Sequence, residues 1–210
     1  MGSREVGKLT KRQIAILVGK LLGDGCMEFN GLHSRLKIDQ SEKQKDFVNW
    51  LYKEFNGVVT RNPYKIGYID RRSNKTYFNY RFATKSIEYF DFWNRRFYRN
   101  GRKIIPKDIT KILKSPLSLA VWYMDDGYRR KDCRGLYLCT SGYTYLEQTL
   151  LQKALFQNFS IETRIHYAAG NMRLYIPSAY YDRFINLVRK YILPYFSYKL
   201  PSGLARQMSR

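Results

Sequence analysis

The sequence predicts an α+β protein built as two pseudo-symmetric αββαββα halves. Two observations set that architecture: two apolar helices that each finish in Asp-Gly, and the same order of strands and helices after each of them. A third sets the partner, because 38 Lys and Arg stand against 17 Asp and Glu, a formal net charge of +21. So basic a compact chain repels itself and is stabilised by a polyanion, with nucleic acid the leading candidate. The positive residues are spread along the chain and not gathered in a tail, which favours an extended binding surface.

The elements follow in order. Thr10 to Gln13 reads as a capping box. Ile14, Leu17, Val18, Leu21 and Leu22 then recur on one helical face up to Gly23-Asp24-Gly25. Short alternating stretches follow around Met27 to Phe29 and Arg35 to Gln40. Ser41-x-x-Gln44 then caps a helix carrying Phe47, Trp50, Leu51 and Phe55, closed by Gly57. Strand-like pieces at Val58 to Ile69 and Tyr77 to Ala83 lead to a helix opened by Ser86. The second half starts at Ser115-Pro116, a cap followed by proline at the first helical position. Its helix runs through Leu117, Leu119, Ala120, Val121 and Met124 to Asp125-Asp126-Gly127. Then come Leu136 to Thr140, a helix capped by Thr144-x-x-Glu147, strands at Ile161 to Tyr167 and Met172 to Ile176, and a helix opened by Ser178. We place the halves at residues 10–100 and 116–202, with a linker at 101–115.

Several classes of function are excluded or disfavoured. A hydrophobic content of 44% is enough for a packed interior, which argues against wholesale disorder. No apolar run reaches the length of a membrane span. Cys26, Cys133 and Cys139 include no CxxC and cannot all pair, which fits thiols in a reducing intracellular compartment. His33 and His166 are far apart in sequence, so a histidine-based metal site or a Ser-His-Asp triad has little support.

Alternation within the strands carries a functional hint. Phe78, Tyr80 and Phe82 face a core and leave Tyr77, Asn79 and Arg81 on the other side. Leu36 and Ile38 oppose Arg35 and Lys37; Ile161, Thr163 and Ile165 oppose Arg164 and His166; Met172, Leu174 and Ile176 oppose Arg173 and Tyr175. A strand face carrying such groups can enter a major groove and read base edges. The candidate DNA contacts are therefore Arg35, Lys37, Asn79, Arg81, Arg164, His166, Arg173 and Tyr175. Arg61, Lys65, Arg129 and Arg130 join them as basic positions in or beside the strands.

Leu17-Val18-Gly19-Lys20-Leu21-Leu22-Gly23-Asp24-Gly25 and Leu119-Ala120-Val121-Trp122-Tyr123-Met124-Asp125-Asp126-Gly127 both resemble the LAGLIDADG signature of homing endonucleases. Arg102-Lys103-Ile104-Ile105-Pro106 and Tyr198-Lys199-Leu200-Pro201 are similar to the basic-plus-proline segments that close each half of the single-chain branch. The resemblance runs over roughly residues 10 to 202. It implies a saddle in which the two signature helices pack at the centre and two curved antiparallel sheets straddle double-stranded DNA. Gly19, Gly23 and Ala120 are small enough for such close packing, while Lys20, Val121, Trp122 and Tyr123 depart from the nominal signature.

The chemistry implied by the resemblance agrees with elementary electrostatics. A carboxylate at a helix C-terminus faces the negative end of the dipole, and two such groups together repel. A divalent cation removes both objections, and all-oxygen ligation suits Mg²⁺, with Mn²⁺ as a substitute and two or more ions expected. Asp24 and Asp126 are the implied metal carboxylates, and the carbonyls of Gly23 and Asp125 the implied accessory ligands. Lys103 and Lys199 match the family's active-site basic positions, with an electrostatic role at the phosphate. Gln40 resembles a polar residue near the attacking water, and its counterpart in the second half is Thr140 or Ser141. The expected activity is a staggered double-strand cut with short 3′ overhangs, made by a monomer. The alternative is an intron RNA-splicing cofactor, or a non-cleaving DNA-binding protein, on the same scaffold.

Overall fold

The computed structural model describes residues 8–168 and 170–201, so Met1 to Gly7 and the final residue of the second half, Ser202, lie outside the described residues. The chain divides into two compact units. The first comprises the described residues up to Gln13 together with Asp24–Arg95, and the second comprises Ile14–Gly23 together with the described residues from Arg96 onward. The body of the first signature helix, α1 (Lys11–Leu22), therefore belongs to the compact unit that holds the second one, α5 (Pro116–Asp126).

The first unit is a four-stranded antiparallel sheet with a helical cover. Its strands are β1 (Cys26–Asn30), β2 (His33–Ser41), β3 (Tyr64–Asp70) and β4 (Lys75–Ala83), in the order β1-β2-β4-β3. Helix α2 (Lys45–Glu54) packs on β2 and β4, and α3 (Glu88–Phe97) begins in the same unit. Leu36, Ile38 and Phe82 on the inner face and Phe47, Val48, Leu51 and Phe90 on the helices are all buried. Each such side chain contributes about 1.5–3 kcal/mol of transfer free energy.

The second unit repeats the plan. Its sheet holds β7 (Gly127–Arg129), β8 (Leu136–Cys139), β9 (Arg164–Ala168) and β10 (Asn171–Ile176), in the order β7-β8-β10-β9. The helices α6 (Tyr145–Phe159) and α7 (Ser178–Val188) accompany it. Residues 101–115 are structured: β5 (Tyr98–Arg99) and β6 (Arg102–Lys103) form a hairpin, and α4 (Ile109–Ile112) follows. Ile105, Ile109 and Leu113 in this segment are buried. Asn158 of α6 donates to the carbonyls of Thr110 at 2.8 Å and Leu113 at 2.7 Å, and the Ile105 N–H donates to Glu147 at 3.2 Å.

The local start signals are satisfied where the side chain reaches the backbone. Gln13 N–H donates to Thr10 Oγ1 at 3.1 Å and Thr10 N–H to Gln13 Oε1 at 2.9 Å, closing the box that opens α1. Ser115 Oγ accepts from Leu117 N–H, and Thr144 and Glu147 cap α6 reciprocally. Ser41 makes no such bond: one 3₁₀ turn, Glu42–Gln44, comes first and α2 starts at Lys45. Ser178 is the first residue of α7, and the capping position belongs to Pro177.

Several strand expectations need correction. Ile161 to Thr163 precede β9 and are not part of it. Val58 to Thr60 is not part of β3 and makes only the isolated bridge Val59–Thr84. Strand β7 follows α5 directly and supplies the first of the two strands that the αββαββα order requires there; its three residues are too few to show an alternation in the sequence. Phe78 is 41% exposed, whereas Phe82 on the same strand is buried. A ten-residue helix such as α2 is about 15 Å long. The nine residues of β4 span about 30 Å, so α2 covers the Phe82 end and leaves the Phe78 end bare.

Candidate functional site

The two signature helices meet through their small residues. A Cβ on Gly19 would lie 2.5 Å from the Ser118 carbonyl oxygen and 2.7 Å from Val121 Cβ. One on Gly23 would lie 2.5 Å from Asp125 Oδ2. Real Cβ atoms do not approach so closely, so glycine at 19 lets the helix come against the Ser118 backbone, and glycine at 23 makes room for the Asp125 side chain. The partners on α5 are Ser118, Val121 and Asp125, where the sequence pointed to Ala120. Ser118 Oγ also donates to the Ala15 carbonyl at 2.7 Å, tying the helices near their N-terminal ends. Residues 117–124 of α5 are all buried, which explains how Trp122 and Tyr123 fit the signature: no side of this helix meets water.

Each helix end is capped by a lysine from a basic-plus-proline segment. Lys103 Nζ donates to the Gly23 carbonyl at 2.7 Å. Lys199 Nζ donates to the carbonyls of Met124 at 2.6 Å, Tyr123 at 3.0 Å and Asp125 at 3.4 Å. Both ammonium groups sit where a helix dipole favours positive charge. The two carbonyls singled out as metal ligands, those of Gly23 and Asp125, are thus already held against cations. Two buried phenols support the same ends. Tyr123 donates to the Lys199 carbonyl at 2.8 Å, and Tyr143 to the Leu22 carbonyl at 3.2 Å. Burial pushes both phenols well above the ordinary tyrosine value, so they remain donors.

The predicted carboxylates differ in setting. In the first unit, Asp24 is exposed and its Oδ2 accepts from Gln40 Nε2 at 3.3 Å. In the second, Asp126 is half-buried and lines a cavity of about 210 Å³ with Gly23, Lys103, Cys139, Thr140, Ser141 and Tyr143. Register decides which residue corresponds to Gln40. Cys26 pairs with Lys37 as Tyr128 pairs with Tyr137, so the residue three further along is Gln40 in one sheet and Thr140 in the other. Thr140 Oγ1 donates to Gln148 Oε1 at 2.8 Å inside the second unit.

Each sheet keeps one face uncovered by its helices. On the first, the registers Glu28–Arg35, Cys26–Lys37, Asp39–Arg81 and Tyr64–Arg81 put Arg35, Lys37, Asn79 and Arg81 on one side with Glu28 and Asp39. Arg35 Nε and Lys37 Nζ donate to Glu28 at 2.7 and 2.8 Å, while Arg81 Nε and Asn79 Nδ2 donate to Asp39 at 3.0 and 2.9 Å. Arg61 joins Arg35, Lys37, Arg81 and Glu28 around a cavity of about 330 Å³. Lys65 lies on the opposite face, over the Phe78 ring and 2.7 Å from Glu42.

On the second sheet the register Arg173–His166, with Tyr175–Arg164 and Tyr175–Tyr137, gathers Arg164, His166, Arg173, Tyr175, Tyr137 and Tyr128 on the open side. Arg129 pairs with Leu136 and points with it toward the helices, whereas Arg130 lies over the Tyr137 and Tyr175 rings and pairs with Asp132. Sequence reasoning missed Tyr128, Tyr137, Glu28 and Asp39 on these faces. The only signal for them was strand parity, which requires the register.

This geometry has known counterparts. Residues 14–184 match the profile of the LAGLIDADG DNA endonuclease family. A cytochrome b mRNA maturase bI2 of Debaryomyces hansenii is 29% identical over 198 residues, spanning 91% of this chain and 74% of that protein. A probable intron-encoded endonuclease 1 of Wickerhamomyces canadensis is 29% identical over 197 residues, spanning 91% and 85%. Among solved structures, that of the homing endonuclease I-WcaI bound to its DNA recognition sequence matches with a TM-score of 0.85 at 27% identity, covering 92% of this chain and 88% of that one. The chain belongs to the LAGLIDADG DNA endonuclease family.

Proposed function

We propose that this protein is a single-chain homing endonuclease that hydrolyses both strands of a long double-stranded DNA site and leaves short 3′ overhangs. The observation that carries this reading is the paired helix end, where Gly23 and Asp125 are in contact and a lysine ammonium holds the carbonyl of each. Asp24 and Asp126 are the residues that follow these two, and consecutive Cα atoms are only about 3.8 Å apart. That sequence position, in the paired motif of the matched family, supports assigning both as the metal carboxylates.

The donors at the helix ends are oxygens only, and among the described residues there is no cluster of three or more His, Cys, Asp and Glu side chains that could hold a metal. That set fits Mg²⁺, which takes one or two carboxylates and completes its shell with water and substrate phosphate; Mn²⁺ is an acceptable substitute. When bound, such ions supply Lewis-acid polarisation of the phosphodiester and a more acidic water. The chain's own residues do the rest. Asp24 and Asp126, with the carbonyls of Gly23 and Asp125, would hold the ions, Gln40 orients Asp24, and Lys103 and Lys199 offset charge that builds on the phosphate. Arg35, Lys37, Arg81, Arg164, Arg173 and Tyr175 on the open sheet faces bind the duplex on either side.

The decisive measurement is cleavage of a plasmid carrying the native insertion junction, with Mg²⁺ and without. Asp24→Asn and Asp126→Asn are each expected to slow double-strand cleavage at least about a hundredfold. Duplex binding in the absence of metal should change no more than severalfold in either variant. Full cleavage by either one rejects the assigned roles. The maturase named among the relatives favours one second reading, an RNA-splicing cofactor. It gains if the protein stimulates splicing of its host intron and leaves the junction plasmid intact.

A further inference from the structure

Aligning Asp24 with Asp126 pairs Gly23 with Asp125 and Lys20 with Trp122, so within the two motifs charge is unmatched at two places. The two departures answer each other in space. Lys20 Nζ donates to Asp125 Oδ1 at 2.6 Å, and the two side chains are 1% and 0% exposed. The same carboxylate presses against the Gly23 backbone, so it lies beside a carbonyl assigned to the metal. A buried carboxylate at the negative end of α5 is costly without a cation. Lys20, in the last turn of α1, supplies that cation from the partner helix.

We propose that Lys20 is a positioning residue that confines the Asp125 carboxylate within the helix pair, so that α5 offers the metal centre only the Asp125 carbonyl and the Asp126 carboxylate. The inference rests on the endonuclease reading above. In physical terms Lys20 sets the count of available carboxylates at two where the sequence carries three, Asp24, Asp125 and Asp126. It also fixes the direction of the α5 tip, because Asp125 precedes Asp126 directly.

Two variants test this, Lys20→Met and the pair Lys20→Met with Asp125→Asn, each read in three ways. The first reading is calorimetric titration of the DNA-free protein with Mn²⁺ alone. Lys20→Met releases a third carboxylate, so Mn²⁺ affinity should rise about fivefold or more, since cation affinity follows ligand charge. The double variant removes that carboxylate and should return the isotherm to that of the unmodified protein. The second reading is duplex binding without metal, expected to stay within about twofold because phosphate contacts dominate it. The third is strand-resolved cleavage. In the double variant one strand should be cut about tenfold more slowly than the other, the usual effect of losing an outer partner of a ligand, so nicked plasmid accumulates.

A purely structural pair predicts otherwise, because replacing buried ions by neutral groups is often without effect on folding. Unchanged Mn²⁺ binding in folded Lys20→Met overturns the proposal. Should that variant not fold, the double variant decides: cutting both strands at the unmodified rates overturns the proposal, and a lagging strand supports it. Absence of any cleavage by the unmodified protein instead sinks the endonuclease reading, which keeps the two failures distinct.

Discussion

The two four-stranded sheets share a strand order and an outward parity, but they hold their outward cations by different means. On the first, carboxylates do it: Glu28 accepts from Arg35 and Lys37, and Asp39 from Arg81 and Asn79. Burial raises the Glu28 carboxyl, and Lys37 and Arg35 outweigh that effect and keep it below its ordinary value. On the second, aromatic rings do it. Tyr137 lies 5.2 Å from Tyr128 and 5.1 Å from Tyr175, with Arg173 over its ring at 4.8 Å and His166 bonded to its hydroxyl at 3.1 Å. A carboxylate aims a cation but cancels its charge, whereas a ring aims it and leaves the charge intact. The first face is therefore better suited to directional bonds with base edges, and the second to full-strength contacts with phosphate and flat contacts with thymine methyl groups.

The largest expected consequence is in stability. Tyr137→Ala removes the ring on which the second face is assembled, itself 9% exposed, and should cost about 3 kcal/mol in urea unfolding. Asp39→Ala removes only a half-exposed ion pair and should cost no more than about 1 kcal/mol. Equal losses would dissolve the contrast between a ring-built face and an ion-paired one. Next comes the salt dependence of duplex binding. Glu28→Gln frees Arg35 and Lys37, so affinity at low salt should rise and the log–log slope should steepen by up to about one counterion. Tyr137→Phe should leave that slope unchanged, and a parallel change in both variants would mean that rings and carboxylates act alike.

The smallest effect is a pH dependence confined to the second face. Burial, with help from Arg130, Arg164 and Arg173, holds His166 below its ordinary value of 6.5. The unfolded chain thus takes up this proton before the folded one does as pH falls. The stabilisation from neutral His166 is complete above that ordinary value and is lost as pH drops through the lower folded value. Comparing unfolding midpoints between pH 7 and pH 5 should show a shallower decline for His166→Gln than for the unmodified chain.

Much of this was legible in the string because it is local. The doubled Asp-Gly helix ends, the box at Thr10 and Gln13, and the box at Thr144 and Glu147 depend on residues three or four apart, and the structure shows each of them. What depends on distant partners was not legible. Lys20 reads as a defect in an apolar helix until Asp125, far along the chain, is found against it. Lys65 reads as one more basic strand position, but only the pairing of Tyr64 with Arg81 shows that Lys65 faces away from Arg81. A shift of one residue reverses every side chain of a strand, and no local pattern fixes that shift. The linker expected at 101–115 fails to read as structure for a similar reason, since Ile105 and Ile109 are scattered apolar residues until α6 covers them.

The bare end of the β3–β4 ribbon has a practical consequence for handling the protein. Strand β3 sits at the rim of its sheet, and Tyr68, Ile69, Tyr77 and Phe78 around it are 51%, 63%, 44% and 41% exposed. An unpaired rim with apolar side chains is a template on which a second chain can add its own strand. The excess of +21 charges keeps free molecules apart in dilute buffer. In molar salt that repulsion reaches only about 3 Å, so concentrated stocks of the free protein should precipitate through this ribbon.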